Sequence, residues 1–273
     1  MTTPPPPPGP APAPADLALE ALRAGRGGRP AVTTLSVDEA VLLDQIGYEP
    51  VDMVTGASVV QLAAFARMGV GFSTNAELTQ LSAALEASRR YAIERITDAA
   101  AGVEANGVLG VSLDVGDLGG GSLVHLIATG TAVRAPDGPG RRAKGRPFSA
   151  ALRGQEVHLL ERAGYRPLGI ASGVCAYHVG RQDFGAWARS VKDNREMTLY
   201  TEALYDAREL AMGRLQEMAL RLEADGVVGV RVTERSGVWG SHVIEFAAVG
   251  TAVRAPSGPH RALDPRLVID LAG

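Results

Sequence analysis

The sequence predicts an α+β protein built from two tandem repeats, and three observations support this fold class. The heptapeptide at residues 130–136 recurs letter for letter at residues 250–256. Each copy contains one long run with apolar residues at the 3.6-residue period of a helix. Each copy also contains short apolar or alternating runs bounded by glycines, which are typical of strands. The predicted unit is a three- to four-stranded, mainly antiparallel sheet packed by one long helix.

Two further matches define the length of the repeat. Residues 107–111 match residues 226–230 at an offset of 119, and the Gly-Tyr-x-Pro motif at Gly47 returns at Gly164, an offset of 117. The heptapeptides lie 120 apart, so the offsets drift by only three residues, which indicates a duplication with a small insertion. The predicted organisation is a Pro-rich tail and linker at 1–30, repeat 1 at 31–135, a linker at 136–147, repeat 2 at 148–256 and a C-terminal extension at 257–273.

Composition and charge exclude several classes of partner. The formal net charge is −3, which favours neither nucleic acid nor an anionic membrane surface as a partner. The single cysteine, Cys175, excludes an internal disulfide and a multi-cysteine metal cluster. No signal sequence opens the chain and no apolar run is long enough to span a membrane, so we expect a cytoplasmic protein. Residues 1–15 contain eight prolines and are predicted to be disordered or polyproline-like.

The first elements of the two repeats are predicted in parallel. A short helix at 38–46, with its partner at 155–163, ends at Gly47 and Gly164, because glycine commonly follows a helix. A strand follows at 51–54 and at 168–171. The pattern then predicts a loop or irregular segment after Gly56 and Gly173.

The long helix is the clearest local prediction. Apolar or small residues step by three or four along copy one, and copy two has such residues at the same seven places. They are Leu81, Leu85, Ser88, Ala92, Ile96, Ala99 and Val103 in copy one, and Tyr200, Leu204, Ala207, Ala211, Leu215, Met218 and Leu222 in copy two. Thr74 and Glu77 have the spacing of a capping box just upstream. Asn106-Gly107 and Asp225-Gly226 are suitable stops.

Two strands complete each unit. Residues 227–233 alternate, with Val228, Val230 and Val232 expected on one face. The last strands, at 123–133 and 243–253, are apolar on both faces for most of their length, so both faces need cover. Because one helix covers only one face, we expect the other face to pack on the second repeat or on another chain.

A third echo follows each repeat boundary. Residues 31–35, 148–152 and 267–271 all end in leucine, at spacings of 117 and 119. We interpret them as short strands that pair with the preceding repeat or chain and cover a sheet edge. Deleting residues 264–273 is then expected to cause misassembly or aggregation, and unchanged stability and oligomer size would refute the interpretation.

These motifs together resemble a known family. Copy two reads Tyr200-x3-Leu204-x2-Ala207-Arg208-Glu209-x-Ala211, followed by Ala-Asp-Gly-Val-Val-Gly-Val at 224–230 and Gly-Thr-Ala-Val at 250–253. This succession is similar to the YbjQ-like "putative heavy-metal-binding" domains, and copy one looks like a more diverged member. The resemblance implies dodecin-like α+β units that close into pentameric rings. A tandem chain is then expected to form a homo-oligomeric ring of five chains, or a ring stack; no biochemical role is carried over.

One pair of residues has the character of metal ligands. Cys175 and His178 offer a thiolate and an imidazole three residues apart, which suit zinc or copper. Copy one has Ser58 and Gln61 at these places, so the pair is not duplicated. Residues three apart in a strand also point to opposite faces, and an oligomer would have to supply further ligands. The remaining histidines, predicted to be surface or interface residues, are His125, His158, His242 and His260.

No catalytic, cofactor-binding or metal site is assigned from the sequence. The glycine-rich residues 116–121 lack the Lys-Ser/Thr of a P-loop and predict a hairpin loop. Arg134 and Arg254 are predicted to be strand-end charges or inter-subunit ion pairs. We therefore predict a non-enzymatic, cytoplasmic homo-oligomer with a structural or binding role and an unknown cofactor. The alternative is a metal or small-ligand binder that uses Cys175 and His178 or an inter-subunit site.

Overall fold

The structure is a computed structural model, and it describes six stretches of the chain. These stretches are 31–61, 74–118, 123–136, 146–180, 198–239 and 242–256. The predicted Pro-rich tail, most of the linker between the repeats and the C-terminal extension lie outside them.

The two repeats contain the same long elements in the same order, which confirms the α+β tandem architecture. Repeat 1 contains α1 (Val37–Asp44), β1 (Glu49–Gln61), β2 (Ala76–Glu77), α2 (Thr79–Gly102), β3 (Gly107–Leu118) and β4 (Leu123–Arg134). Repeat 2 contains β5 (Phe148–Ser149), α3 (Gly154–Arg162), β6 (Arg166–His178), α4 (Thr198–Arg221), β7 (Gly226–Ser236) and β8 (Val243–Arg254).

Each repeat forms a four-stranded sheet, and each sheet borrows one short strand from the other repeat. The strand orders are β1-β4-β3-β5 and β2-β6-β8-β7, and all pairs of long strands are antiparallel. In repeat 2 the borrowed strand is β2, where Glu77 lies opposite Tyr177. In repeat 1 it is β5, which runs parallel to β3 with Phe148 opposite Gly107. The repeats are therefore interlocked at their junction.

The long helices occur where the apolar stripe predicts them, but their ends differ from the prediction. The proposed capping box is wrong, because Glu77 lies in β2 and α2 begins after Leu78 without a side-chain cap. Both helices end before the expected stops. Glu104 and Glu223 adopt left-handed φ angles of 57° and 55°, and Gly107 and Gly226 then begin strands instead of terminating helices.

The ends of the short helices follow the sequence more closely. Gly47 and Gly164 lie just beyond α1 and α3 with φ angles of +74° and +85°, as the glycine rule predicts. Ser36 and Glu39 form a capping box at the start of α1.

The first long strand of each repeat extends well beyond its predicted end. No loop begins at Gly56 or Gly173: β1 and β6 continue through these glycines and reach 13 residues each. The glycines are packing positions, because an added Cβ at Gly56 would lie 2.3 Å from the carbonyl oxygen of Ala92 in α2. At Gly173 the same atom would lie 2.0 Å from the carbonyl oxygen of Ala211 in α4. The long helices thus cross their sheets at a glycine.

A bulge changes the predicted face pattern of β7. Its register with β8 shifts between Val228 and Arg231, and Gly229 adopts a φ of +62°. Val228 and Val232 therefore do not belong to one uninterrupted alternation, as the sequence predicted. Repeat 1 repeats the feature at Gly110, where φ is +63°.

Helix α2 packs on both sheets, whereas α4 packs only on its own. The C-terminal half of α2 lies on the sheet of repeat 1 with Ile96 and Ala100, and its N-terminal half lies on the outer face of the sheet of repeat 2. That second contact is made by Leu78, Leu81 and Leu85. The prediction that the second face of the repeat 2 sheet packs on the other repeat is thereby confirmed.

The three predicted edge strands have different outcomes. Residues 148–152 form β5 and continue along the edge of β3, where the N–H of Ala150 donates to the carbonyl of Val108 at 2.8 Å. Residues 31–35 form no strand within the single chain, so their pairing with a preceding chain stays a prediction. Residues 267–271 lie outside the described residues.

Candidate functional site

The structure places Cys175 and His178 in different surroundings. Cys175 is fully buried in an apolar cluster against α4, with Ala207 and Phe246 among its neighbours. Burial, and then the carboxylate of Glu77, raises the pKa of its thiol to about 12, so the thiol stays protonated. The His178 side chain is at the far end of β6, where its Nδ1 lies 3.4 Å from the carbonyl oxygen of Thr74. Neither side chain lines the cavity that lies beside the junction.

The remaining described histidines do not form a metal site with these residues either. The rings of His178 and His242 have centroids 6.3 Å apart, and the Nδ1 of His158 lies 2.8 Å from the carbonyl oxygen of Leu42. His260 lies outside the described stretches. Among the residues that the structure describes, no group of three or more metal-ligating side chains occurs.

The polar side chains that do converge lie at the junction of the two repeats. Arg89 in α2 and Glu245 in β8 form an ion pair at 2.7 Å, and both side chains are almost fully buried. The indole N–H of Trp239 donates to the second oxygen of Glu245, also at 2.7 Å. A buried carboxylate with two strong donors is well satisfied, and removing it would leave Arg89 as an uncompensated buried charge.

A second ion pair closes the other end of the junction. Arg214 in α4 contacts Glu77 at 2.6 Å and donates to the carbonyl of Val174 at the same distance. The carboxylate of Glu77 raises the pKa of the Arg214 guanidinium against the opposing effect of burial. Nearby, the side-chain amide of Asn75 donates to the carbonyl of Leu199 and accepts from Gly180 N–H. Residues 75–77 of repeat 1 thus hold α4 against β6.

These junction residues occur in both copies, and the sequence reasoning missed them. At the helix offset of 119, Asn75 corresponds to Asn194, Glu77 to Glu196, Arg89 to Arg208 and Arg95 to Arg214. The signal was available as identical polar residues at identical repeat positions. It could not be interpreted without the fold, because Glu77 and Arg89 form their ion pairs with residues of the other repeat.

Two members of this set, Arg95 and Arg208, are exposed in the single chain. Arg208 is exposed, in contrast with its buried counterpart Arg89. Arg95 donates to the carbonyl of Ala57 as Arg214 does to that of Val174, but it forms no ion pair with another described residue. The helix residues of the internal junction are therefore repeated in the sequence, whereas the position of Glu245 is occupied by His125 in the other copy.

Exposed apolar side chains are also distributed unequally over equivalent surfaces of the two repeats. The outer face of β1 and β4 exposes Met53, Val59 and Ile127, whereas the equivalent face of β6 and β8 is buried by α2. Helix α4 exposes Leu204 and Tyr205, whereas the equivalent Leu85 of α2 is buried. An exposed sheet face and an exposed helix face that match each other's internal counterparts are typical of an unfilled interface.

A cavity of about 380 Å³ lies beside the junction, between α2, the first half of β6 and the end of α4. Its apolar lining includes Ile93, Leu168, Ile170, Met218 and Leu222. Arginines and glutamates also line it: Arg90, Arg146, Arg221, Arg254, Glu86, Glu94 and Glu223. The space suits a small molecule with an apolar body and polar ends.

The strand-end arginines form ion pairs within the chain. Arg134 contacts Glu49 at 3.3 Å and Arg254 contacts Glu223 at 3.7 Å, and all four side chains are exposed. They therefore act as the predicted strand-end charges, and such exposed pairs contribute little to stability.

The fold and junction define a tandem α+β protein whose units associate side by side, and the comparisons identify its family. The chain belongs to the YbjQ family, described as "putative heavy-metal-binding", whose sequence model matches residues 32–136 and 166–256. The predicted resemblance is thus confirmed for both repeats. No helix among the described residues is long and apolar enough to cross a membrane.

Relatives of two lengths are similar to this chain. Encapsulin nanocompartment protein Rv1762c of Mycobacterium tuberculosis (strain ATCC 25618 / H37Rv) is 36% identical over 255 residues, which cover 91% of this chain and 95% of that protein. A UPF0145 protein of Vibrio campbellii (strain ATCC BAA-1116) is 42% identical over 88 residues, 32% of this chain and 81% of the relative. A UPF0145 protein of Thermotoga maritima is 38% identical over 96 residues, 33% of this chain and 87% of the relative. The shorter relatives correspond in length to one repeat, and neither their names nor the family description contains an enzymatic activity.

Proposed function

We propose that this protein is a non-enzymatic assembly component whose chains join head to tail into a closed homo-oligomer. In this proposal, α4 of one chain covers the outer face of β1 and β4 of the next, as α2 covers the outer face of β6 and β8 within the chain. The observation that carries the proposal is that surfaces equivalent by repeat are buried on one side of the chain and exposed on the other.

The polar residues support the same geometry. Arg95 is exposed and would face the neighbouring chain, as Arg214 faces Glu77 inside the chain, and Glu77 has a sequence equivalent in Glu196. Asn194 and Arg208 complete the duplicated set. A contact between two different surfaces repeats from chain to chain, and it gives a ring where the rotation closes.

The relatives are consistent with an assembly role. One full-length relative is named as an encapsulin nanocompartment protein, and single-repeat relatives show that one unit exists as a separate chain. In a closed ring of tandem chains the number of repeats is even. A ring of five chains with ten repeats, as the family resemblance implies, is the size we propose. We place the protein in the cytoplasm, with neither nucleic acid nor membrane as partner, because its net charge of −3 favours neither.

A charge placed in the exposed sheet face tests the proposal. Ile127→Arg should abolish the oligomer, because a buried arginine opposite the apolar face of α4 costs several kcal/mol. Leu220→Arg is the matched control, since Leu220 is 72% exposed on α4 and its equivalent, Ala101, is exposed beside the internal junction. Native mass spectrometry should find monomers for the first variant and the wild-type oligomer for the second. Equal masses for wild type and both variants would refute the proposed interface.

A second candidate function is small-ligand binding, and the cavity beside the junction favours it. The leucines of the lining would contact the apolar body of an amphipathic molecule, and the arginines would contact its polar ends. Loss of binding on Leu168→Arg, with the oligomer intact, would support this function. For the metal alternative, metal analysis of the purified wild type should give substoichiometric metal that Cys175→Ala leaves unchanged, whereas stoichiometric metal lost in that variant would establish it.

A further inference from the structure

We propose that the outer edge of β7 is a strand-binding site, and that its occupant is residues 31–35 of the next chain, added as a parallel strand. The inference rests on the proposed head-to-tail assembly and specifies the backbone contact that sets the register between neighbouring chains. The internal junction supplies the template, because residues 148–152 of repeat 2 take the corresponding place on β3 of repeat 1.

The segment that begins at β5 pairs with β3 through backbone hydrogen bonds in both directions. The N–H of Ala150 donates to the carbonyl of Val108 at 2.8 Å. The bulge in β3 supplies two more donors. The N–H of Gly110 donates to the carbonyl of Leu152 at 3.0 Å, and the N–H of Val111 donates to the carbonyl of Ala150 at the same distance. The bulge thus determines which residues of the added strand lie opposite it.

Strand β7 has the same bulge at the free edge of its sheet. The φ angle is +62° at Gly229 and +63° at Gly110, and the register shift occurs at the same place in both repeats. Gly229 and the following Val230 are both exposed, and no other described strand lies on this edge of β7. Because an unpaired strand edge is a template for another strand, β7 is suited to accept one.

Residues 31–35 are held on repeat 1 in the position that this pairing requires. In repeat 2 the N–H of Ala151 donates to the Oγ1 of Thr251 in its own sheet at 3.0 Å. In repeat 1 the N–H of Thr34 donates to the Oγ1 of Thr131, the equivalent threonine, at 2.9 Å. The two segments are therefore attached to their own sheets in the same way. A segment that is already positioned loses less conformational entropy when it binds.

The exposure of the two segments supports the same occupant. Residues 148–152 are all buried, whereas none of residues 31–35 is. The short helices that follow show the same difference, since Val41 of α1 is 54% exposed and the equivalent His158 of α3 is 6% exposed. The Nδ1 of His158 lies 2.8 Å from the carbonyl oxygen of Leu42 in α1, so repeat 1 provides its cover. The stretch from residue 31 through α1 therefore exposes what its counterpart buries.

The repeat offsets give the register of the proposed pairing. Ala31 is placed opposite Gly226, and the N–H of Thr33 donates to the carbonyl of Val227. Ala31 and Gly226 are exposed in the single chain, and the space around Gly226 is open. A strand from a neighbouring chain can therefore approach this edge.

Residues 267–271 of the same chain are the competing occupant, because their offset of 119 from residues 148–152 also fits. They place Asp270 at the position of Ala151, which is buried at the internal junction. An unpaired carboxylate is costly in such a place. Residues 31–35 place Thr34 there, and its hydroxyl and N–H are both bonded to Thr131. The polar groups thus favour the neighbouring chain as the source of the strand.

A disulfide distinguishes the two occupants. In a Cys175→Ser background, Ala31→Cys with Gly226→Cys should give a ladder of linked chains on a non-reducing gel, because paired strands lie about 4.7–4.9 Å apart, within reach of a disulfide. Gly226→Cys with Leu267→Cys, in the same full-length background, should leave both thiols free. Free thiols in the first pair, or a bond within the chain in the second, would overturn the inference.

Proline at two adjacent positions measures the backbone contact, because proline has no N–H to donate. Thr33→Pro removes the donor to Val227 and should raise the apparent dissociation constant of the oligomer about tenfold in sedimentation. Val32→Pro is the matched control, since the N–H of Val32 donates to Asp52 of its own chain at 3.2 Å. It should raise the constant less than about twofold.

The result for the two proline variants separates this inference from the assembly on which it rests. Equal dissociation constants for Thr33→Pro and Val32→Pro, in an oligomer that Ile127→Arg still abolishes, would overturn the added strand and leave head-to-tail assembly in place. A wild type that stays monomeric at every concentration would overturn the proposed function and this inference together.

Discussion

Strands β1 and β6 occupy the same place in the two repeats and differ in what covers them. In β6 every residue between the first and the last is buried, whereas β1 alternates between exposed and buried positions over its second half. Val59 is 58% exposed, and the equivalent Ala176 is 0% exposed. The difference arises from a neighbour: α2 lies on the outer face of β6, and no described element lies on that of β1.

Strands β3 and β7 show the opposite arrangement. The first half of β3 is largely buried and its edge is paired by β5, whereas β7 is mostly exposed and has no partner on its outer edge among the described residues. An added Cβ at Gly107 would lie 2.2 Å from Phe148, whereas the space around Gly226 is open. Each end of the chain thus exposes a surface whose equivalent at the other end is covered, which teaches that the neighbouring element, and not the strand itself, determines the burial.

The largest loss of stability is expected at the glycines that both repeats place where the long helix crosses the sheet. Gly173→Val places a side chain against the backbone of α4, 2.0 Å from the carbonyl oxygen of Ala211, and neither element can move without losing the core. We expect a loss of more than about 4 kcal/mol in the free energy of unfolding, which is characteristic of severe core disruption. Thermal denaturation followed by circular dichroism measures it.

Gly213→Ala is the control for that variant. Gly213 lies in α4 with open space around it, so alanine should stabilise the helix by about 0.5–1 kcal/mol. If Gly173→Val melted at the wild-type temperature, the packing of α4 on β6 described above would be incorrect.

A smaller loss of stability is expected at a position where the two repeats have different residues. Glu245→Gln leaves Arg89 buried without its carboxylate and should lower the free energy of unfolding by about 3 kcal/mol, the usual cost of breaking a buried pair. The equivalent His125→Gln should change the stability of an isolated chain by less than about 0.5 kcal/mol, because His125 is only half-buried and its buried Nδ1 has no described partner to lose. Urea denaturation under dissociating conditions compares the two. Equal losses would contradict the asymmetry between the junctions.

The smallest effect on stability is expected at Cys175, where the quantity to measure is the rate of thiol alkylation. Because burial raises the pKa of its thiol from 9.0 to about 12, the thiolate fraction near neutral pH falls about a thousandfold. Alkylation by iodoacetamide at about pH 8 should be correspondingly slow in the folded protein and normal in urea. A thiol with a raised pKa stabilises the folded state below its unfolded pKa, so stability should decline as the pH rises above about 9. Rapid alkylation of folded protein would place Cys175 at the surface.

The sequence predicted the parts of the fold that depend on local periodicity. The seven-residue stripe located α2 and α4, and the repeat offsets located the equivalent strands. The continuation of β1 and β6 was missed because Gly56 and Gly173 resemble turn residues, while their role is to admit a helix backbone from another part of the chain. The ends of the long helices were missed because Glu104 and Glu223 take a conformation that usually favours glycine or asparagine.

The junction could be predicted only in part. The sequence of β8 is apolar on both faces, and it therefore predicted that the sheet needs a packing partner on each face. Which element covers the second face did not follow, because Leu81 and Leu85 belong to the same stripe as the residues that pack on their own sheet. The pairing of Arg89 with Glu245 joins residues 156 positions apart, and no local pattern indicates it.

One disulfide measurement tests the central claim most directly. Glu77 and Tyr177 are opposed across β2 and β6, and antiparallel partners have Cα atoms about 4.5–5.5 Å apart, a spacing that suits a disulfide. In a Cys175→Ser background, Glu77→Cys with Tyr177→Cys should form a bond within the chain. At the junction between chains, Val59→Cys with Thr201→Cys should instead link neighbours into a covalent ladder that closes at the full ring on a non-reducing gel. These two residues are equivalent by repeat offset to Ala176 and Ser82, whose Oγ accepts from the Ala176 N–H at 2.9 Å. Formation of the first bond with only monomers from the second pair would contradict the account.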